Sequence, residues 1–450
     1  MEREAGRDAL ELAPFRGLRY AASDARPLID SFNLALALVP PYDVLDAASV
    51  FDLMRAEPHN AARLTAPPAA ARDTAKDTEP PGFGQDRYAA AAGTLRRWIN
   101  DGILVRDPVP VLYVYEQTSP GGLRQRGLIG ALRLPAHGNP AVRPHEDVAP
   151  DLVADRAELM AAARANLEPI FLLYRGGTGA GRGAAAQATD AAAEAGTPPL
   201  VDTVTDDGMA HRLWAIDEPD IHSEIAADLA TRTALIADGH HRYAAYQRLR
   251  DRQDSPGPWD HGLALLVDSD SSPPRVGAIH RVLRDLDVHA AARAASSVAD
   301  VERLPSPAYL PHGLRAADRR LRRAAADGPA LLLAGTAGPG TDPGATYLLR
   351  GLTAVAAPGR SPVWRALPTA ALEELLSVWG VGDDRVHLVH DDPAEALAAL
   401  RPGRDCAVVL PPLKVEDVYA VAEQGELTPR KSTSFGPKPR TGLVLRVFDS

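Results

Sequence analysis

The stretch "TALIADGHHRYAAYQRLRD", residues 233–251, decides how this chain is read. Its opening run, Thr233 to Ala237, is short and apolar and ends at turn-forming residues, which predicts a strand. Tyr243, Ala244, Tyr246 and Leu249 then share one face at helical spacing, which predicts a helix. Asp238, Gly239, His240, His241 and Arg242 therefore occupy a strand-to-helix turn, where backbone N–H groups point outward and the helix dipole favours an anion. Gly239 permits a positive φ or the close approach of a ligand. His240, His241 and Arg242 add side-chain donors near the helix start, and the planar fork of Arg242 suits a phosphate. Asp238 is placed to cap the helix, contact magnesium or act as a base. The plainer alternative has Asp238 only capping, with the histidines packed or facing solvent.

Bulk properties narrow the classes. At 450 residues the chain exceeds one ordinary core, so roughly two or three domains are expected. Hydrophobic residues make up 45% and charged residues 24%, the balance of a globular protein. A net charge of −10 argues against coating nucleic acid, so no nucleic-acid partner is expected. The N-terminal "MEREAGRDALELAPFRGL" has no apolar signal-peptide core. No apolar run reaches the roughly 18 residues of a membrane span. Cys406 is the lone cysteine, which leaves no internal disulfide and no multi-cysteine zinc site. A cytoplasmic protein without a membrane partner is expected.

Outward from the signature, strand and helix patterns alternate, predicting an α/β (α+β) chain. The N-terminal segment, 1–105, reads "LALALV" as a strand, then a Pro-Pro turn, a helix and a short strand at "AARL", with a flexible stretch at 66–86. A central domain, 106–288, opens with an antiparallel pair, "PVLYVYEQT" and "RQRGLIGALRL", around "SPGGL". It holds the signature turn and a flexible linker at 175–199. Inside that linker "GGTGAGRG" invites a phosphate-loop reading, but it lacks the Lys-Ser/Thr of a Walker loop and does not fit G-x-G-x-x-G. A C-terminal α/β lobe, 289–450, ends in a basic, hydroxyl-bearing tail with Arg430, Lys431, Ser432, Thr433, Lys438 and Arg440. Asp43, in "PPYD", is a further candidate, with a structural turn as the alternative.

Two resemblances sharpen this. "GHHRYAAYQRLRD" resembles the signature of the sulfiredoxin and ParB-like fold, in which such a turn opens a helix and grips nucleotide phosphates. The sulfiredoxin cysteine is replaced here by His240, so thiol chemistry is lost. "DGHHR", 238–242, is similar to the turn of free serine kinases of that fold. On the scale of the chain, "VPPYDVLD" (39–46), "RPHEDV" (143–148), "RANLEPIFLLY" (164–174), "HRLWAI" (211–216), "ADGHHRY" (237–243), "IHRVL" (279–283) and "PRKSTSFGPKPRTGLV" (429–444) occur in order. That series resembles the domain-of-unknown-function family 1015, with Ser434 and Gly436 where other versions carry tyrosines.

The resemblance implies a central ParB/sulfiredoxin-like nucleotide-binding domain and a nucleotide-dependent phosphotransferase, with ATP or ADP and Mg²⁺ as cofactors. The acceptor would be a small hydroxylated metabolite, free L-serine first. Gly239, His240, His241 and Arg242 would hold phosphates, with His280, Arg281, Lys431, Ser432, Thr433 and Lys438 converging on them. Glu146, or else Asp238, would orient the attacking hydroxyl. Two rivals stand beside it. One is a non-enzymatic, ParB-like nucleotide-binding regulator, for which no basic recognition helix is evident. The other is a metal-dependent hydrolase or nuclease built on His145, His211, His240, His241 and His280, although no H-E-x-x-H spacing is present.

Overall fold

The computed structural model describes residues 9–21, 32–66, 85–305, 311–338, 344–352, 357 and 359–448. The chain divides into two compact units, one of Met1–Pro144, Val148–Pro274 and Pro437–Ser450, the other of His145–Asp147 and Arg275–Gly436. This differs from the three segments expected. Strand Leu12–Ala13 pairs with Ala131 and Leu132, which merges the N-terminal segment into the central sheet. Strand Arg446–Val447 pairs with Ala165–Asn166, which returns the end of the chain to the first unit. The second unit begins at Arg275 rather than 289, because Arg275–Gly277 pairs with Ser434–Gly436.

Both units are mixed α/β. Among the described residues, the first holds a nine-stranded sheet ordered Val142–Arg143, Ala234–Asp238, Ile170–Tyr174, His261–Asp268, Arg124–Arg133, Leu112–Thr118, Ala210–Ile216 and Val201–Val204, with Leu12–Ala13 alongside Arg124–Arg133. Pairing is mostly antiparallel, but His261–Asp268 runs parallel to Ile170–Tyr174. Every residue of Ile170–Tyr174 and of Ala234–Asp238 is buried, which accounts for their continuous apolar runs rather than an alternation. The second unit holds a six-stranded sheet ordered Asp300–Arg303, Ala345–Arg350, Leu331–Gly335, Cys406–Val409, Ile279–Leu283 and Val386–His390.

Several local expectations change. "LALA" at Leu34–Ala37 is one helical turn, not a strand, because the Asn33 side chain accepts from Ala35 N at 2.9 Å. Ala62–Thr65 is likewise helical, with Asn60 Oδ1 accepting from Ala62 N at 2.9 Å. In both places a local Asn cap outweighs the apolar pattern. The expected linker at 175–199 contains helix Ala184–Glu194, whose Ala185, Ala186 and Thr189 are buried. Its alanines form a real packing face, while Gly177 and Gly179 take positive φ in the turn before it. Of the stretch expected to be flexible at 66–86, residues 67–84 lie outside the described residues. No helix among the described residues is long and apolar enough to cross a membrane.

Candidate functional site

Strand Ala234–Asp238 delivers the signature turn, and its pairing with Ile170–Tyr174 slips between Ile236 and Asp238. Such a bulge re-aims the next side chain, here Asp238. Gly239 follows at φ 92°, ψ 29°, and helix His240–Arg250 begins immediately. A Cβ on Gly239 would stand 3.0 Å from Ile170 Cγ2 and 3.1 Å from both Nε and Nη2 of Arg242. The glycine is therefore required twice, by its backbone and by the guanidinium packed against it.

Arg242 is not the exposed fork that the sequence suggested. It is 1% exposed, on the helix stripe with Tyr246 and Leu249. Nη1 donates to Pro169 O at 2.7 Å and Nη2 to Asp238 Oδ2 at 2.6 Å, while Nε is buried without a hydrogen-bond partner. Burial works against its charge, but Glu168, Asp238 and Asp43 outweigh it and hold the guanidinium firmly protonated.

Around this pair the first unit gathers a charge network. Lys438 Nζ contacts Asp238 Oδ1 and lies 3.3 Å from Asp43 Oδ2. Burial opposes the charge on Lys438, yet Asp238 and Asp43 raise its pKa. Burial and then the neighbouring Asp43 raise Asp238, with Lys438 and Arg242 pulling the other way. Asp43 sits in a short 3₁₀ turn, Tyr42–Val44. Tyr42 N donates to Glu168 Oε1 at 3.1 Å, and Arg156 lies 4.1 Å over the Tyr42 ring. The buried Glu168 also accepts from Thr441 Oγ1 at 3.0 Å. His241 Nε2 accepts from Ala149 N at 3.0 Å, and His240 is buried. Gln117 and Gln125 side chains donate at 2.9 Å to Lys438 O and Pro437 O, fixing the strap that carries the lysine.

The second unit gathers the remaining candidates. Glu146 Oε1 accepts from Lys431 N at 3.0 Å, and Arg281 Nη2 donates to Lys431 O at 2.8 Å. Lys431, at φ 57°, is thus held in the left-handed region from both sides of its backbone. Burial lowers Arg281 to about 10, with Glu146 opposing. Thr433 Oγ1 is 2.9 Å from His145 Nε2, and Ser432 Oγ donates to Pro429 O at 2.5 Å while lying 2.9 Å from the Thr369 hydroxyl. His280 Nδ1 accepts from Leu410 N at 3.2 Å, and burial lowers this ring to about 4.

A family whose description reads "Protein of unknown function (DUF1015)" matches residues 12–367. The chain belongs to this family. Lys431, Ser432, Thr433 and Lys438 lie beyond the matched span. No curated protein matches the chain. Among solved structures it is similar to a free serine kinase in complex with AMP, at 14% identity and a TM-score of 0.35, over 68% of this chain and 88% of that one. It is also similar to a C-terminally truncated SbnI from Staphylococcus aureus, at 10% identity and 0.36, over 71% and 87%. A conserved hypothetical protein from Pyrococcus furiosus aligns at 14% identity and 0.34, over 68% and 92%.

Glu168 escaped the reading of the sequence, although an acid inside "ANLEPIFLLY" had to be buried and hence paired. Among the described residues, no group of three or more His, Cys, Asp or Glu side chains could hold a metal ion, so the histidines of a metal hydrolase do not converge. His211 instead lies between Tyr115 Oη at 2.9 Å and Thr205 Oγ1 at 3.0 Å. Magnesium carried on phosphates asks less, one or two carboxylates and water. Asp43, its side chain 34% exposed, fits that demand better than Asp238, whose two oxygens already face cations.

Proposed function

We propose that the protein binds a nucleotide through the turn after strand Ala234–Asp238 and transfers a phosphoryl group to a small hydroxyl compound. The observation that carries this reading is the left-handed Gly239 turn at the head of helix His240–Arg250, with the Lys438 ammonium held beside it by Asp238 and Asp43. A helix start has N–H groups without intrahelical acceptors, and its dipole favours an anion. Of the three protons on Nζ, two face carboxylates, and the side chain keeps 19% of its surface exposed, so one proton remains for a phosphate oxygen.

In this reading Gly239, His240 and His241 form the cradle. Arg242 acts beneath it, holding Asp238 and the bulge in place rather than gripping phosphate. Magnesium, when bound with the nucleotide, would supply charge neutralisation, with Asp43 as its carboxylate. Asp238 has the raised basicity wanted of a group that orients a hydroxyl. Glu146 is the other candidate base, and Glu146→Gln and Asp238→Asn separate the two. His280, Arg281, Lys431, Ser432 and Thr433 all lie in the second unit, where the Ser432 hydroxyl and the Lys431 backbone are held by hydrogen bonds within that unit.

The test is phosphoryl transfer from ATP or ADP to free L-serine, the first acceptor because "DGHHR" is similar to the free serine kinase turn. Phosphoserine formation lost in Asp238→Asn or Glu146→Gln is expected. Absence of transfer to serine and to a panel of other alcohols would overturn the catalytic part.

A further inference from the structure

We propose that a groove in the second unit, built from none of the motifs above, binds a small organic phosphate monoester. Helix Val288–Ala295 and its cap present His289, Ala292, Arg293 and Ser296, spaced so that they form one stripe. Facing them, edge strand Asp300–Arg303 turns Val301 and Arg303 to the same side, and Tyr347 pairs directly opposite Arg303. Together they line a cavity of about 400 Å³.

The charges are sorted by strand alternation. Asp300 and Glu302 take the opposite face from Arg303, and Glu302 pairs with Arg320. Among the described residues, neither Arg293 nor Arg303 has a side-chain ion pair or hydrogen bond, in a chain with 59 acids against 49 Lys and Arg. His289 Nδ1 and Tyr347 Oη lie 2.7 Å apart with their rings edge to face, which stiffens one wall. Ala292 and Val301 give an apolar floor. Two planar forks over one cavity favour a dianion over a monoanion, and the floor favours an anion with a flat apolar body.

Phenyl phosphate is the probe, titrated by calorimetry into the full chain beside inorganic phosphate and benzoate. Saturable binding at or below ~1 mM is expected, with both comparison anions at least about tenfold weaker. Arg293→Gln/Arg303→Gln should lose at least about tenfold, and Arg303→Lys, which keeps the charge and removes the fork, should fall between. Both arginines are exposed, so the variants should keep the wild-type circular dichroism and melting curve. Because the Gly239 turn is proposed to take phosphates too, His241→Ala/Lys438→Ala is titrated in parallel and should retain this binding. No saturable binding, binding indifferent to both arginines, or binding lost only with His241 and Lys438 would each overturn the groove. The last of these would leave the turn standing.

Discussion

Arg242→Met distinguishes an internal counter-ion from a ligand-facing fork, because the two roles give stability losses of different size with no nucleotide present. The guanidinium is buried, 2.6 Å from Asp238 Oδ2 and 2.7 Å from Pro169 O. Removing one member of a buried, hydrogen-bonded pair costs about 3–5 kcal/mol, since its partner stays charged in a poorly solvated site. Lys438 still contacts Asp238, so the lower end applies, about 3 kcal/mol, or roughly a hundredfold in the folding equilibrium. Methionine keeps most of the volume, so little of this is a cavity effect. An exposed arginine waiting for phosphate would lose less than about 0.5 kcal/mol. The assay is urea unfolding followed by circular dichroism, on wild type, Arg242→Met, Asp238→Asn and the double variant. With neither charge stranded, the double variant should be more stable than the sum of the single losses by about 1.5 kcal/mol or more. A loss under about 1 kcal/mol for Arg242→Met, with additive single effects, would refute the assignment.

Gly239→Ala forces a side chain into left-handed backbone and against Ile170 and Arg242. A loss of about 1–3 kcal/mol in urea midpoint measurements is expected, together with weaker nucleotide binding. His211 is held down to about 4, chiefly by burial and then by Arg440. Between an unfolded value near about 6.5 and that native value, the unfolded chain binds the proton and the native chain does not. Stability from this residue is thus complete above about pH 6.5 and is lost as the pH falls towards 4. His211→Gln should flatten the fall in melting temperature across that window.

Much of the first unit's sheet was legible because Ile170–Tyr174 and Ala234–Asp238 are nearly continuous apolar runs and the hairpin of Leu112–Thr118 with Arg124–Arg133 is marked by Pro and Gly. The position of the signature turn was legible for the same reason. Arg242 was misjudged because charge was read before spacing. At three and four residues before Ala245 and Tyr246, and seven before Leu249, it had to share their buried stripe. The partners of Asp238 were illegible for another reason. Asp43 and Lys438 are far from it in sequence, and no local pattern says which of the tail's cations reaches the turn. The helix Ala184–Glu194 was hidden by alanine, whose small side chain makes a packing face without a strong apolar period.

Calorimetric titration of ATP, ADP and CTP with Mg²⁺, on wild type and on His241→Ala/Lys438→Ala, decides whether the Gly239 turn and Lys438 hold nucleotide phosphates as proposed. Binding near ~1–100 μM is expected for at least one nucleotide, weakened at least about tenfold in the double variant while its circular dichroism is unchanged. No binding by any of the three, or an affinity the double variant leaves intact, would rule the phosphate site out.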